Sequence, residues 1–137
     1  MARLQEHVTG GVSLPAQRAA AAVLTDERLE GENDRLIESL RDRRDQIVQY
    51  FRERLSGVEF VEPLGTHYCF FRVDGFFDGD LTKAGVFCDR LLAEYGVAMA
   101  PGEVFGDERW VRMTYGVSER VLGDALKRTA AFIDSLA

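Results

Sequence analysis

Apolar residues recur along this chain with two different periods, and the changes between them divide it into elements. In residues 32–55, Leu36, Leu40, Ile47, Phe51 and Leu55 fall four or seven positions apart, and Ile37 and Val48 widen the stripe. Arg41, Asp42, Asp45, Gln49 and Arg52 take the opposite side. This is the 3.6-residue period of an amphipathic helix, and Gly57 is placed to stop it. Ahead of it, Ser13 is positioned to cap a helix through Ala16, Ala19, Ala20, Ala21, Ala22, Val23 and Leu24. Pro15 is tolerated there because first-turn N–H groups have no acceptor within the helix. Alanine gives that helix high propensity but little apolar area, so it is expected to pack against something larger.

Beyond Gly57 the period shortens to two. Val58-Glu59-Phe60-Val61 reads as a short strand and Pro63-Leu64-Gly65-Thr66 as a turn. Residues 68–73 are the longest apolar strand, bulky on both faces and so expected at the centre of a sheet covered by helices on at least one side. Residues 74–79 form a loop with Phe76 and Phe77 as plugs. Asp80 is expected to cap a helix whose inward positions are Ala84, Phe87, Cys88, Leu91, Leu92 and Tyr95, ended by Gly96. Val97-Ala98-Met99 predicts a short strand, Pro101-Gly102 a sharp turn, and residues 110–115 a returning strand. Ser118 caps a last helix marked by Leu122, Leu126, Thr129, Ile133 and Leu136, with Ala125, Ala130 and Phe132 broadening its apolar side. The order of elements predicts an α+β fold, a small antiparallel or mixed sheet covered by helices.

Length and composition narrow the role. A chain of 137 residues, 46% hydrophobic, buries one core. Seventeen basic residues against 23 acidic, net −6, argue against a broad nucleic-acid footprint and supply no cationic face for a membrane. No window approaches the roughly 20 apolar residues of a membrane span, and the residues after Met1 lack the apolar run of a secretory signal. The run Arg41-Asp42-Arg43-Arg44-Asp45 reads as a solvated helix surface. Cys69 and Cys88, without a CxxC spacing and in apolar surroundings, read as core residues of a cytoplasmic protein. His7 and His67 share no metal-ligand spacing, so no metal site is expected, and the glycine-rich pieces match no nucleotide-binding loop.

One residue stands against this apolar background. Arg112 lies inside the strand Trp110-Val111-Arg112-Met113-Thr114-Tyr115, where a charge must meet an anion or cost stability. That anion is either a ligand or a structural partner among Glu103, Asp107 and Glu108. On the residues alone, a stand-alone small-molecule binding or regulatory module and one part of a larger enzyme both remain open.

The wording of the turns adds a resemblance. Pro101-Gly102, Phe105-Gly106 and Val111-Arg112 follow in the order and spacing of the C-terminal small domain of fold-type I, pyridoxal-phosphate-dependent aminotransferases of class I/II, the aspartate and aromatic aminotransferases. Pro63-Leu64-Gly65-Thr66-His67-Tyr68-Cys69-Phe70 resembles that family's Pro-x-Gly-x-x-Tyr-x-Phe strand, and Ser13-Leu14-Pro15-Ala16-Gln17 the helix after its phosphate-side loop. The resemblance implies a segment derived from the large domain over residues 1–28 and the small domain over residues 29–137. It implies that Arg112 binds the α-carboxylate of an amino acid whose amino group passes to a 2-oxo acid, in a homodimer. Thr9 and Gly10 would fall on the loop that reaches the cofactor phosphate of the neighbouring subunit, although Gly10-Gly11-Val12 departs from the family's Ser-Asn-Pro. Glu6, near the position of a dicarboxylate-binding arginine, disfavours aspartate as the substrate. The Schiff-base lysine is missing: Lys83 and Lys127 sit in amphipathic helices, outside a Ser-x-Ser-Lys-like setting. No catalytic residue is therefore expected in this chain. Pyridoxal 5'-phosphate is expected in the complete enzyme, and the isolated chain is expected to be inactive. Other fold-type I pyridoxal-phosphate enzymes share this framework.

Overall fold

A computed structural model describes residues 11–136. The chain divides into two compact units, residues 1–38 and 39–137. In the first, helix α1 (Leu14–Thr25) begins where the sequence places it: the Ser13 hydroxyl accepts from the Ala16 N–H, and Pro15 sits in the first turn. None of its residues is buried. Helix α2 (Arg28–Arg54) starts four residues before Glu32, because the Asp26 carboxylate takes both the backbone N–H and the guanidinium of Arg28.

The second unit contains the sheet. Its strands are β1 (Phe60–Val61), β2 (Tyr68–Arg72), β3 (Ala100–Pro101) and β4 (Trp110–Thr114), all antiparallel, in the order β1-β2-β4-β3. The strand expected at the centre is central. Alternation sends Cys69, Phe71, Val111 and Met113 to one face, where they pack with Ile47 and Phe51 of α2, Phe87 and Leu91 of helix α3 (Ala84–Tyr95), and Leu122, Leu126 and Phe132 of helix α4 (Glu119–Asp134). Both cysteines are free and buried within this core, and burial pushes each thiol up to about 12, which disfavours the reactive thiolate at neutral pH. Phe76 and Phe77 lie against the same core.

Two starts differ from expectation. Asp80 is exposed in a turn closed by the Leu81 N–H to the Asp78 carbonyl and caps nothing. Helix α3 begins at Ala84, where acceptors arrive from elsewhere in the fold: the Glu108 carbonyl for the Ala84 N–H at 2.8 Å and Glu103 Oε1 for the Gly85 N–H at 3.0 Å. Likewise β3 starts at Ala100 rather than Val97. The left-handed Gly96 closes α3, and Val97 turns into the core before the chain reaches the edge of β4.

Arg43 departs from the solvated surface expected of its run. It is half-buried and donates to the Ser39 carbonyl and hydroxyl and to the Val117 carbonyl, tying α2 to the turn after β4.

Candidate functional site

The face of the sheet opposite the helices carries the candidate chemistry. Arg112 pairs in register with Phe70 of β2 and Ala100 of β3, and its alternation puts it on the side away from Val111 and Met113. The guanidinium carbon lies 4.1 Å from the centre of the Tyr68 ring and 4.4 Å from that of Phe105. Each ring face attracts the cation, by about 0.5–1 kcal/mol at a partly exposed site, yet offers no lone pair to its N–H groups. With Tyr68, Ala98, Met99, Ala100 and Thr114, Arg112 lines an open cavity of about 330 Å³.

The acids that could have neutralised it are engaged elsewhere. Asp107 forms a two-point pair with Arg109 at 2.9 and 2.7 Å, which holds its carboxyl down at about 2. Glu103 accepts from Gly85, and the exposed Glu108 forms no ion pair with Arg112 among the described residues. Among the described residues no carboxylate pairs with Arg112, and none of its guanidinium N–H groups has an acceptor. By contrast, Arg72 is held by both Asp74 and Glu59.

A second cavity, about 340 Å³ and lined chiefly by apolar side chains such as Val97, Val117 and Val121, contains Arg120 and Arg128. Both cations are already engaged there, Arg120 with Asp124 at 3.7 Å and Arg128 with the Tyr95 carbonyl at 3.2 Å. The Arg112 cavity differs in holding a cation with no acceptor for its guanidinium among the described residues and no carboxylate in its lining.

The loop before β2 is built around backbone that the sequence did not reveal. Thr66 adopts a left-handed conformation, φ 61°, and its carbonyl accepts from the buried Tyr115 hydroxyl at 3.0 Å. His67 is half-buried, its ring 4.1 Å from that of Tyr68, and its carbonyl accepts from Tyr115 N–H and Thr114 Oγ1. These bonds set the position of Tyr68 beside Arg112. A Thr before two aromatic residues carries no signal of such a turn, since left-handed backbone favours Gly, Asn or Asp.

Lys83 and Lys127 are both exposed, and neither lines the Arg112 cavity, which holds no lysine and no carboxylate. Thr9 and Gly10, like Glu6 and His7, lie outside the described residues.

The family model described as aminotransferase class I and II matches residues 1–128. An aspartate aminotransferase of Thermotoga maritima is 35% identical over 135 residues, covering 98% of this chain and 32% of that protein. A bifunctional aspartate and glutamate/aspartate-prephenate aminotransferase of Petunia hybrida is also 35% identical, over 92% of this chain and 28% of its own length. The crystal structure of the Thermotoga maritima enzyme superposes with a TM-score of 0.81 at 32% identity, covering 96% of this chain and 32% of that one. An aromatic aminotransferase of Pyrococcus horikoshii superposes with 0.84 at 26% identity, covering 98% and 36%. The chain thus spans about a third of the length of the curated relatives it matches.

Proposed function

Because the chain belongs to the aminotransferase class I and II family, we propose that it supplies the substrate-carboxylate site of a pyridoxal-phosphate-dependent aminotransferase, with Arg112 as the clamp. The observation that carries this reading is the half-buried guanidinium with no carboxylate partner among the described residues, facing an open cavity. A guanidinium presents two parallel donors to two carboxylate oxygens and so fixes orientation as well as charge. Tyr68 and Phe105 hold the cation by their ring faces without consuming a donor, so a carboxylate finds the fork intact. Orientation is what the reaction needs, because the bond broken at Cα must be held in line for cleavage.

Pyridoxal 5'-phosphate is the cofactor the family implies. The described residues do not fit its anchoring: no lysine or carboxylate reaches the cavity beside Arg112. On this reading the lysine and the acid that such a group requires come from polypeptide outside residues 11–136, and no chemical step is assigned to this chain. Within the same proposal, residues 1–28 belong with the large domain and residues 29–137 form the small domain. Thr9 and Gly10 reach the cofactor phosphate of the neighbouring subunit of a homodimer. The uncovered apolar side chains of α1, among them Leu14, Val23 and Leu24, support a partner surface there. Two free, buried thiols fit a cytoplasmic protein.

The test is substrate kinetics of the longer polypeptide bearing this segment. Arg112→Ala should raise the amino-acid KM about 10- to 100-fold, the loss expected for a charged two-point hydrogen bond. Arg112→Lys should recover only part of it, and an unchanged KM in both variants would overturn the assignment.

A further inference from the structure

Glu103 sits in a place that helix capping alone does not explain. It lies in the 3-10 turn Gly102–Phe105, which its own carbonyl helps to close by accepting from the Gly106 N–H at 3.2 Å. Its side chain reaches away from that turn to the first turn of α3, where Oε1 accepts from Gly85 N–H at 3.0 Å. Lys83, the residue in the capping position of α3, provides no side-chain acceptor of its own. The other oxygen, Oε2, is buried with no hydrogen-bond partner among the described residues. A carboxylate oxygen left in that condition costs stability, whereas a Ser or Asp at position 83 would cap the helix from within. What the long-range cap does, and a local one would not, is to tie the 3-10 turn to α3.

That turn carries Phe105. The Phe105 ring is one of the two that flank Arg112, and it also meets Phe70 in a T-shaped contact at 6.0 Å between centres. Phe105 is itself 47% exposed, so packing alone holds it weakly. The base of the turn is rigid: a Cβ on Gly102 would come within 2.2 Å of the Asp107 carbonyl oxygen and 2.4 Å of that of Trp110. The free end of the turn, with Phe105, is the part that needs an anchor.

We propose that Glu103 is a positioning residue for Arg112, pinning the Gly102–Phe105 turn to the start of α3 and so holding the Phe105 ring against the guanidinium. The inference rests on the carboxylate role of Arg112 for its functional meaning, but the ring placement can be read independently. Gly85 supplies the cleanest perturbation. A methyl group there would lie 2.9 Å from Glu103 Oε1 and displace the carboxylate, while alanine in a helix favours folding over glycine.

The experiment follows the Arg112 Nε–Hε resonance of the ¹⁵N-labelled chain and its titration with sodium 3-phenylpropionate, a carboxylate probe. In Gly85→Ala the melting temperature should hold or rise, the Arg112 Hε resonance should lose the Phe105 part of its ring-current shift and keep that of Tyr68, and the probe Kd should rise about two- to tenfold, the cost of ordering one freed side chain. Glu103→Gln, which retains an acceptor oxygen, should stay close to wild type in both readouts. Phe105→Ala should weaken binding by itself, and adding Gly85→Ala to it should weaken binding no further. The inference is overturned if Gly85→Ala leaves the Arg112 resonance in place, or if it weakens binding equally with and without Phe105. Should Arg112→Lys bind the probe as well as wild type, the carboxylate role fails, and the resonance shift still decides the positioning role.

Discussion

At the residue scale, the site depends on glycines whose requirements differ in kind. Gly102 is the strictest, since the two obstacles to a Cβ are backbone carbonyl oxygens that cannot move without shifting the 3-10 turn or β4. Gly102→Ala should therefore cost about 2 kcal/mol or more in chemical denaturation, as overpacking against fixed backbone does. It should also disturb the Arg112 resonance, because Phe105 belongs to the same turn. Gly106 differs. It has open space around it and a φ of 94°, so its requirement is conformational rather than steric. Arg112 itself was legible from sequence, as a cation in an apolar strand. Its two aromatic flanks were not, because Phe105 arrives from a turn whose path is set by Gly102.

At the element scale, helix starts separate local capping from tertiary capping. Ser13 and Ser118 cap α1 and α4 with their own hydroxyls, as their sequence context indicates. Asp80 has the right chemistry at the wrong distance, and α3 instead takes its acceptors from Glu103 and Glu108. Ser118→Ala should then lower stability by about 1 kcal/mol. Asp80→Ala should stay within about 0.5 kcal/mol of wild type, the range of an uninvolved surface residue. Thermal unfolding of the two variants side by side checks both. The apolar stripe of α2 is continuous in sequence, but only its C-terminal part, Ile47, Val48 and Phe51, is buried, together with Leu55 just beyond the helix, whereas Leu36 and Ile37 are exposed. Periodicity reports an amphipathic face, not what covers it.

At the scale of the whole molecule, the acidic balance conceals paired acids at the end of the sheet where Arg72 of β2 meets Trp110 of β4. Arg109 holds Asp107 at about 2, and the hydrogen bonds from Arg72 lower Asp74. Each folded-state value lies below the unfolded one near 3.9, so the native chain binds fewer protons than the unfolded chain in the interval between them. The resulting stabilisation is complete above the unfolded value and is lost as the pH falls through the folded one, down to about 2 for Asp107. Melting temperature measured from pH 5 to pH 2 should fall through this window. The fall should be shallower in Asp107→Asn and at high salt, because these pairs are exposed and screened.

The order of elements, the central place of β2, the inward stripe of α4 and the exceptional status of Arg112 all follow from the chain alone, because periodicity and the cost of burying a charge are local properties. The family was legible too, in short motifs in the right order. What only the tertiary structure decided is which acids are already engaged, where α3 and β3 begin, that Arg43 is tied to the turn after β4, and that Thr66 is left-handed to place Tyr68. Each of these depends on partners far away in sequence, and a hydrogen bond or ring contact between distant segments has no signature in the spacing of either one.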